Sequence, residues 1–568
     1  MKPRAMAERG RVARRGLNAF VRRAGGHAYL VLAVVFSLAI IADTGVTGML
    51  NAAEIRLFDF LVSHRFSVPP ADRDIVIVDI DEASLAAMAP RHGRWPWANE
   101  VFGRFVAAVE AQGPQAIVFD ILFADRDTLR PRSDEAFNAT IAASRTTFFP
   151  MLRLDPQNDH LSRIQPGMLP GVRPLGDPAR ADGQATIAVI LPKVPAAIDN
   201  GRLGTHQVDP DRDGVVRRFP SWIEHAGWRI PSLPARIAEE FAFPGATQRE
   251  VLLNWRGPPF TYHYVPFADL YRDLVEGAGT RPASEFRNKI LVIGSTAPSL
   301  FDIKGTPVAR IHPGVEILAT AIDNFKHGDW LRERPRWLMV GAALALIWGM
   351  ATALYLRVRI QVFDSLFGGL QAGLVSVAYL TLNFSHWYLD VSAPLSLGLA
   401  YFTVARLYHG FSTRSLANGP VDDLATLQTG QRRLAVLAIR LDGATPGERR
   451  RLLRQIDRLV ARSKSGVARI ADIIEDPGIV RSAFAEFVML YWLAAEEAAD
   501  YVTEMDAAEA VLRSAEPQAR WGERLRFGRE VADVRWENSG GWRAGARTAI
   551  LDALKAAAND ADKERVTP

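Results

Sequence analysis

The sequence contains no cysteine, and no histidine follows His409. The missing cysteines exclude disulfide bonds, thiolate catalysis, iron–sulfur clusters and cysteine-ligated zinc. The missing histidines mean that the C-terminal region cannot be a histidine kinase with a phosphoacceptor of its own. That region also lacks the P-loop pattern G-x-x-x-x-G-K, the kinase HRD loop and a GGDEF signature.

The length and the hydrophobic content predict more than one domain and a membrane location. A chain of 568 residues exceeds what one hydrophobic core normally serves. Hydrophobic residues make up 48% of the chain, and the mean hydropathy of +0.00 is high for a soluble protein. The net charge of +5 comes from basic residues that gather beside apolar segments, which favours a topology signal over nucleic-acid binding. We therefore expect no nucleic-acid partner.

Four apolar stretches are candidates for crossing a bilayer. The first follows a basic N-terminus, residues 1–23, and is predicted to span 24–50 as an uncleaved anchor, with a cleaved signal peptide as the alternative. The other three lie within 336–408. From the arginines beside these segments, the positive-inside rule predicts that both termini are cytoplasmic and that residues 52–333 are outside. The three later segments are Trp337–Leu356, Ile360–Phe384 and Val391–Ala405.

The outside region opens with a strand, helix, strand unit between Arg73 and Asp127. Its two strands, Ile75–Ile80 and Ala116–Phe123, are continuous apolar runs, which suit a mostly parallel sheet covered on both faces. Apolar residues at helical spacing between them predict the crossover helix. Further strands are predicted at Ala185–Leu191, Val251–Trp255 and Lys289–Gly294.

Three carboxylates follow the predicted strands, with Asp79 and Asp81 after the first and Asp120 after the second. Ligands usually bind at the carboxyl ends of the strands in open α/β sheets. We therefore predict a ligand site here for a cation or a basic ligand, with helix capping and turn formation as the alternative. Trp95 and Trp97 either stack on the ligand or pack as an aromatic corner under the helix.

The segment Asp209–Gly214 has the pattern of the start of a calcium-binding loop. Its aspartates stand at the first, third and fifth positions of such a loop. The twelfth position is Pro220, although a bidentate glutamate is needed there. We therefore predict a turn at Asp213-Gly214 and not a calcium site. No metal, no cofactor and no catalytic residue is assigned to the chain.

Seven motifs stand in one order over residues 52–330: IVIVDIDEASL, GRWPW, IVFDILFAD, DPDRDGVVRRFP, LLNWRG, KILVIGSTA and GVEILATAIDN. In order and spacing they resemble the type-2 CHASE family of extracytoplasmic sensory domains, and the three following membrane segments are typical of it. The resemblance implies a sensor or receptor in the bacterial inner membrane whose output is made in the cytoplasm. It supplies no ligand, because the family has no common one.

The cytoplasmic tail is predicted to hold a linker, residues 411–430, a folded domain, residues 431–558, and a disordered end, residues 559–568. Strands alternate with amphipathic helices in the folded part, which predicts a small α+β (ferredoxin-like) domain. Its first helix has an arginine-rich face that is either solvated or held on anionic lipid. The predicted elements are the strand Arg432–Gly443, the helix Thr445–Ser463, the strand Phe484–Leu493 and the helix Ala495–Arg513.

The order of elements in the tail also resembles a class III nucleotide cyclase. LAVLAIRLDGAT lies over the first metal-binding strand of that family, and AEFVMLYW lies over the hairpin with the second metal carboxylate. On this overlay Arg440 replaces the first metal-binding aspartate and Glu486 the second. Because two-metal phosphoryl chemistry needs carboxylates from both strands, the overlay implies an inactive pseudo-cyclase. An unrelated α/β or α+β fold is the alternative.

These predictions describe an α/β extracytoplasmic sensor domain with a mostly parallel sheet, four transmembrane helices and the small cytoplasmic domain. We expect a non-enzymatic sensor in the lipid bilayer, in which an unknown outside ligand shifts the sensor domain and the tail regulates a cytoplasmic protein partner. By analogy with both families the chain is expected to be a homodimer. The alternative is an active transmembrane adenylate or guanylate cyclase with an atypical catalytic domain that uses Asp442 and Glu486.

Overall fold

The computed structural model describes residues 27–42, 51–245, 247–300, 302–356, 358, 360–424, 430–441, 448, 451–452, 455–456, 468–469, 487–495, 501–514, 524–536 and 552. The chain divides into two compact units, and each is considered by itself. The first unit consists of Ala39–Leu346 and Gln361–Gly398, and the second of Met1–Leu38, Ile347–Ile360 and Leu399–Pro568.

Among these residues the helices are α1 (His27–Ala42), α2 (Asn51–Ser63), α3 (Glu82–His92), α4 (Asn99–Glu110), α5 (Pro131–Ala143), α6 (Pro195–Asp199), α7 (Leu233–Glu240), α8 (Phe267–Leu274), α9 (Gly314–His327), α10 (Arg336–Tyr355), α11 (Ile360–Phe384), α12 (Ser392–Leu424) and α13 (Tyr501–Ser514). The strands are β1 (Ile75–Asp79), β2 (Ala116–Phe119), β3 (Thr147–Arg153), β4 (Arg173–Pro174), β5 (Val189–Ile190), β6 (Leu203–Thr205), β7 (Arg218–Pro220), β8 (Trp222–His225), β9 (Trp228–Pro231), β10 (Glu250–Leu252), β11 (His263–Pro266), β12 (Ile290–Gly294), β13 (Ile303–Thr306), β14 (Ala309–Pro313), β15 (Arg332–Glu333), β16 (Trp387–Tyr388), β17 (Gly430–Leu441), β18 (Ala468–Arg469), β19 (Phe487–Ala495) and β20 (Leu525–Trp536).

The first unit is built on a sheet of seven strands. The strand order is β11-β1-β12-β2-β3-β5, and β6 also pairs with β3. Every pairing in this sheet is parallel except that of β3 with β5. The mostly parallel sheet that the continuous apolar runs predict is therefore present.

Helices cover both faces of this sheet. In β1, Ile75 and Ile77 belong to a core shared with α2, α7 and α9, whereas Val76 and Val78 belong to a second core shared with α4, α5 and α8. Every residue of β12 is buried as well. Because burying one such side chain contributes roughly 1.5–3 kcal/mol, runs of valine and isoleucine form the centre of the sheet.

Three strands are shorter than the sequence predicts by two residues or more, and β1 and β12 are shorter by one residue each. The second strand ends at Phe119 and not at Phe123, because the chain turns away after the N–H of Asp120 donates to a carbonyl of β12. The apolar pattern alone does not show where a ladder of hydrogen bonds stops. The other two are β5, predicted as Ala185–Leu191, and β10, predicted as Val251–Trp255.

Two described helices are long and apolar enough to cross a membrane, namely α10 and the Val362–Phe384 part of α11. The helix α1 is apolar but shorter, and residues 43–50 of the first predicted span lie outside the described part. The helix α12 does not end at Ala405, as the sequence predicts for the last membrane segment, but continues to Leu424. Residues 411–424 of the predicted linker are therefore helical.

The second unit contains an antiparallel sheet of four strands in the order β18-β19-β17-β20. Its core joins β17 and β20 to α13 and to two helical residues, Leu452 and Ile456. The strands β17 and β19 correspond to the two predicted strands. Ala495, at which the predicted helix begins, is instead the last residue of β19, and the described helix α13 comprises Tyr501–Ser514. The strand β20 has no counterpart among the predicted strands.

Several predicted features of the tail lie outside the described residues. Asp442 and Glu486 are two of them, so the cyclase overlay is described only at Arg440. The arginine-rich helix Thr445–Ser463 is described, as helix, only at residues 448, 451–452 and 455–456. The end of the chain, residues 559–568, also lies outside.

Candidate functional site

The carboxyl ends of β1, β12 and β2 lie side by side at one edge of the sheet. Asp79 is the last residue of β1 and pairs in register with Gly294, the last residue of β12, while Asp120 directly follows β2. A Cβ atom added at Gly294 would lie 2.6 Å from a methyl carbon of Val315 and 3.2 Å from the Cβ of Asp120. Glycine therefore lets α9 and Asp120 approach this strand closely.

Asp79 and Asp81 hold the loops that leave the sheet. The buried carboxylate of Asp79 accepts hydrogen bonds from the N–H of Thr296, at 3.0 Å, and from its hydroxyl, at 2.6 Å. Burial raises the pKa of Asp79, and these hydrogen bonds oppose the rise. Asp81 caps α3 by accepting a hydrogen bond from the N–H of Ser84, at 2.6 Å. Both residues have the capping and turn-forming role that was the alternative to ligand binding.

Asp120 differs from Asp79 and Asp81, because no described residue donates a hydrogen bond to its carboxylate. Burial raises the pKa of Asp120 well above its ordinary value, the charge of Asp302 raises it further, and Lys304 opposes the rise. Burial also raises the pKa of Asp302. Asp120 and Asp302 therefore lie close enough that ionising both carboxyl groups is costly, and Lys304 lies near them.

Three further residues, Asp302, Lys304 and His206, belong to no motif that the sequence shows. Burial lowers the pKa of His206, and the charge of Lys304 contributes to the decrease. The carboxylate of Asp302 lies over Gly314, the first residue of α9, where any side chain would collide with it. The sequence gives one weak signal for Asp302, namely its position in the segment after the predicted strand Lys289–Gly294. We call Asp120, Asp302, Lys304 and His206 the edge cluster.

Trp95 and Trp97 pack in the second core of the first unit. Trp97 is 3% exposed and stacks on Phe267, with ring centroids 5.1 Å apart. The ring of Trp95 meets that of Trp97 edge-on at 5.0 Å. Phe102 of α4 contacts both indole rings. The two residues therefore form the aromatic corner, and Trp97 has no free face for stacking on a ligand.

The predicted turn at Asp213-Gly214 is present, and its carboxylates bind an arginine. The N–H of Gly214 donates to the carbonyl of Asp211, which closes the turn. Arg217, with a side chain only 4% exposed, donates to Asp211 at 2.7 Å and to Asp213 and Asp59 at 2.6 Å. Although burial opposes its charge, these carboxylates raise the pKa of Arg217. The carboxylates of this turn therefore bind a cation of the protein itself, the guanidinium of Arg217.

Arg217 and its neighbour Arg218 bind the two segments that lead to α1 and α10. Asp59 lies on α2, which follows α1 along the chain. Arg218 donates to both carboxylate oxygens of Glu333, at 2.6 and 2.7 Å, and Glu333 ends the strand just before α10. Arg336, the first residue of α10, also donates to Glu54 of α2 at 2.7 Å. We call these ion pairs the connector network.

A third polar group surrounds α9. The buried guanidinium of Arg256 donates to Asp323 at 2.7 Å, and although burial opposes ionisation, Arg256 lowers the pKa of Asp323. Ligand atoms of Asp323, Asp72 and His327 lie within 4.8 Å of one another, as in a metal site. Lys326, however, pairs with Asp72 at 2.7 Å. The protein's own cations thus neutralise both carboxylates, and we assign no metal here.

Comparison with known proteins gives a match to a family model. The CHASE2 domain matches residues 30–356, which is more than half of the chain. The matched range contains the seven-stranded sheet, the edge cluster and the connector network. No curated protein and no solved structure matches the chain. The chain therefore belongs to the CHASE2 domain family, whose members are extracytoplasmic sensory domains.

Proposed function

We propose that the chain is an integral membrane sensor, which passes an extracytoplasmic signal through its membrane helices to a non-catalytic cytoplasmic domain. The observation that carries this proposal is the connector network. Arg217 and Arg218 are adjacent in the chain, and they bind the two segments that lead to α1 and α10 through Asp59 and Glu333. A displacement of β7 would therefore move both segments together, which is the coupling that a sensor needs.

The proposed topology has four membrane helices, α1, α10, α11 and the first part of α12, with residues 52–333 outside and both termini in the cytoplasm. The length and composition of α10 and α11 support two of these spans. The strand before α10 pairs with the strand after α11, which supports having these ends on one side of the membrane. At about 1.5 Å per residue, α12 is roughly 50 Å long against about 30 Å of hydrocarbon core, so it would continue into the cytoplasm.

The edge cluster is the proposed ligand site. Asp120 is the predicted carboxylate that the structure leaves without a hydrogen bond from a described residue, and Asp302 and Lys304 lie near it. Such a mixture of charges suits a cation, or a ligand with a basic group beside an acidic one. A ligand would signal from this site only if it binds two states of the domain with different affinity.

The tail is proposed to be a ferredoxin-like domain without cyclase activity. Its strand order, with every neighbour antiparallel, supports the β-α-β-β-α-β arrangement of that fold. Arg440 pairs in register with Arg526 of β20, so two arginines stand together where the cyclase overlay needs a metal carboxylate. A guanidinium group supplies no ligand for a metal ion, which supports an output by contact with a cytoplasmic protein. The proposal includes pairing of two copies of the chain.

Two variants of the connector network test this function. Asp59→Asn and Asp213→Asn each remove one carboxylate partner of Arg217, but only Asp59 lies on the helix that leads to α1. Amide hydrogen exchange is measured on the full-length protein in nanodiscs. We expect Asp59→Asn to change exchange in β17 and β20 roughly twofold or more, and Asp213→Asn to leave it unchanged. Equal exchange of these strands in both variants and wild type would overturn the proposal.

A further inference from the structure

The segment that leads into α10 carries Arg332 and Arg334, and a third arginine, Arg336, is the first residue of the helix. Its strand β15 pairs with β16, and the N–H of Arg332 donates to the carbonyl of His386 at 2.7 Å. Both strands adjoin the helices that are long and apolar enough to cross a membrane. Basic residues are normally scarce on the outer side, where the proposed topology puts this segment. The arginines therefore need a specific explanation.

Among the residues that the structure describes, one of the three arginines has an acidic partner and the other two have none. Arg336 pairs with Glu54 at 2.7 Å, and Glu333, the acid within the segment, pairs with Arg218 at 2.6 Å. Arg332 and Arg334 are exposed. Within the described part of the chain, no carboxylate oxygen lies within 4.0 Å of either guanidinium. Two positive charges therefore remain without an acidic partner from these residues.

Aromatic rings orient these two guanidinium groups. The Cζ atom of Arg334 lies 3.9 Å from the ring centroid of Trp387, and that of Arg332 lies 6.0 Å from the ring centroid of Trp330. A guanidinium over an aromatic face is attracted by the ring and keeps its N–H donors in its own plane. Those donors therefore stay available for an anion.

Large apolar side chains nearby in the same unit are exposed. Trp337, the second residue of α10, is 71% exposed, and Phe384, the last residue of α11, is 72% exposed. The ring of Phe66 contacts that of Phe384 and is also exposed. An exposed tryptophan at a helix end is typical of the boundary between lipid tails and headgroups. The two arginines stand at the helix ends that this boundary would surround.

We propose that Arg332 and Arg334 bind the phosphate of an anionic phospholipid in the outer leaflet. The guanidinium fork matches a phosphate in geometry and in charge. A phospholipid bound there would link β15, which leads into α10, to β16, which follows α11. This inference rests on the proposed topology, because it needs both strands at the outer surface of the membrane.

One introduced thiol tests the topology, since the chain has no cysteine of its own. His386→Cys replaces an exposed side chain and keeps the main-chain contact with Arg332. We expect a membrane-impermeant maleimide to label the thiol on intact cells. Labelling only after the cells are opened would overturn the proposed topology and, with it, this inference.

The same thiol, labelled with a fluorophore, tests the lipid site. Full-length protein is placed in phosphatidylcholine vesicles that contain increasing fractions of nitroxide-labelled phosphatidylglycerol, which quenches a nearby fluorophore. In Arg332→Gln/Arg334→Gln we expect half-maximal quenching to need about 25-fold more phosphatidylglycerol, since each basic side chain near a charged lipid surface contributes about fivefold.

Arg73→Gln/Arg126→Gln is the matched control, because it removes two exposed arginines from the same unit. With the labelled thiol of His386→Cys also present, the fluorescence of this control should be quenched as strongly as that of the protein in which His386→Cys is the only change. If Arg332→Gln/Arg334→Gln is also quenched equally, while the thiol is labelled from outside, the lipid site is wrong and the topology stands.

Discussion

Asp120 combines two properties that cost stability and favour binding. Its carboxyl group is partly buried near the charge of Asp302, and no described residue donates a hydrogen bond to it. Asp79 is buried too, but Thr296 satisfies its carboxylate twice. A carboxylate with a strongly perturbed pKa and no partner of its own is typical of a functional site. Of the three carboxylates that the sequence predicts, Asp120 is therefore the one to test.

Asp120→Asn is expected to stabilise the sensor domain at neutral pH. Folding raises the pKa of Asp120 above its ordinary 3.8, so the folded state holds more protons between the two pKa values. Stability therefore falls as the pH rises through this window, because ionising Asp120 costs more free energy in the folded state than in the unfolded state. The amide does not titrate. Melting temperatures of the full-length protein between about pH 4 and pH 8 should fall less in the variant than in wild type.

The matched control is Asp125→Asn, because Asp125 is exposed in the loop after β2. It should melt like wild type throughout the pH range. If Asp120→Asn shows the same dependence on pH as wild type, Asp120 is not the buried titrating group.

At the scale of elements, burial decides which strands the sequence can predict. The strands β1, β2 and β12 are unbroken apolar runs because helices cover both faces of the sheet. At the start of β20 apolar and charged residues alternate: Leu525 and Phe527 join the core, while Arg526 lies between them. An edge strand needs an apolar side chain only at every second position. The charged residues between these positions interrupt the apolar run by which the sequence predicts a strand.

The edge cluster is incomplete in the sequence for another reason. Asp120 follows β2, whereas Asp302 and Lys304 lie far along the chain, beyond β12. Only the strand order, which puts β12 between β1 and β2, brings these segments to one edge. The rule that ligands bind at the carboxyl ends of parallel strands identifies the edge but not all the side chains that reach it.

Gly294→Ala tests the close packing of β12 against α9. The added methyl group would lie 2.6 Å from a methyl carbon of Val315, so one of the two must move. We expect the free energy of unfolding to fall by about 1–3 kcal/mol, which is typical of overpacking in a core. Chemical denaturation of the full-length protein, followed through the sensor domain, measures this change.

Gly183→Ala is the matched control, because nothing lies within 4 Å of a Cβ at that position. It should leave the free energy of unfolding nearly unchanged. The double variant Gly294→Ala/Val315→Ala removes the clash and should lose less stability than the two single variants added together. Strictly additive losses would contradict the packing argument.

At the scale of the whole molecule, the sequence predicts the sensory domain better than it predicts the role of the C-terminal domain. The apolar segments and the seven motifs identify the CHASE2 domain, because each reflects burial or a fixed turn within residues 30–356. The output depends on what one domain does to another. In the proposed function, that coupling rests on ion pairs such as Arg217–Asp59 and Arg218–Glu333, which reach the segments beside α1 and α10.

The full-length chain is expected to make no cyclic nucleotide from ATP or GTP with Mg²⁺ or Mn²⁺. Metal-dependent phosphoryl transfer needs carboxylates that hold the ions, and Arg440 stands beside Arg526 at one of the places where the overlay needs them. Arg440→Ala should be equally inactive, because removing a cation does not supply a metal ligand. If the wild-type chain forms cyclic product in nanodiscs and Glu486→Ala does not, the tail is an active cyclase with an atypical catalytic domain. The CHASE2 domain would then be the regulator of an enzyme, and the connector network would transmit its signal to an active site.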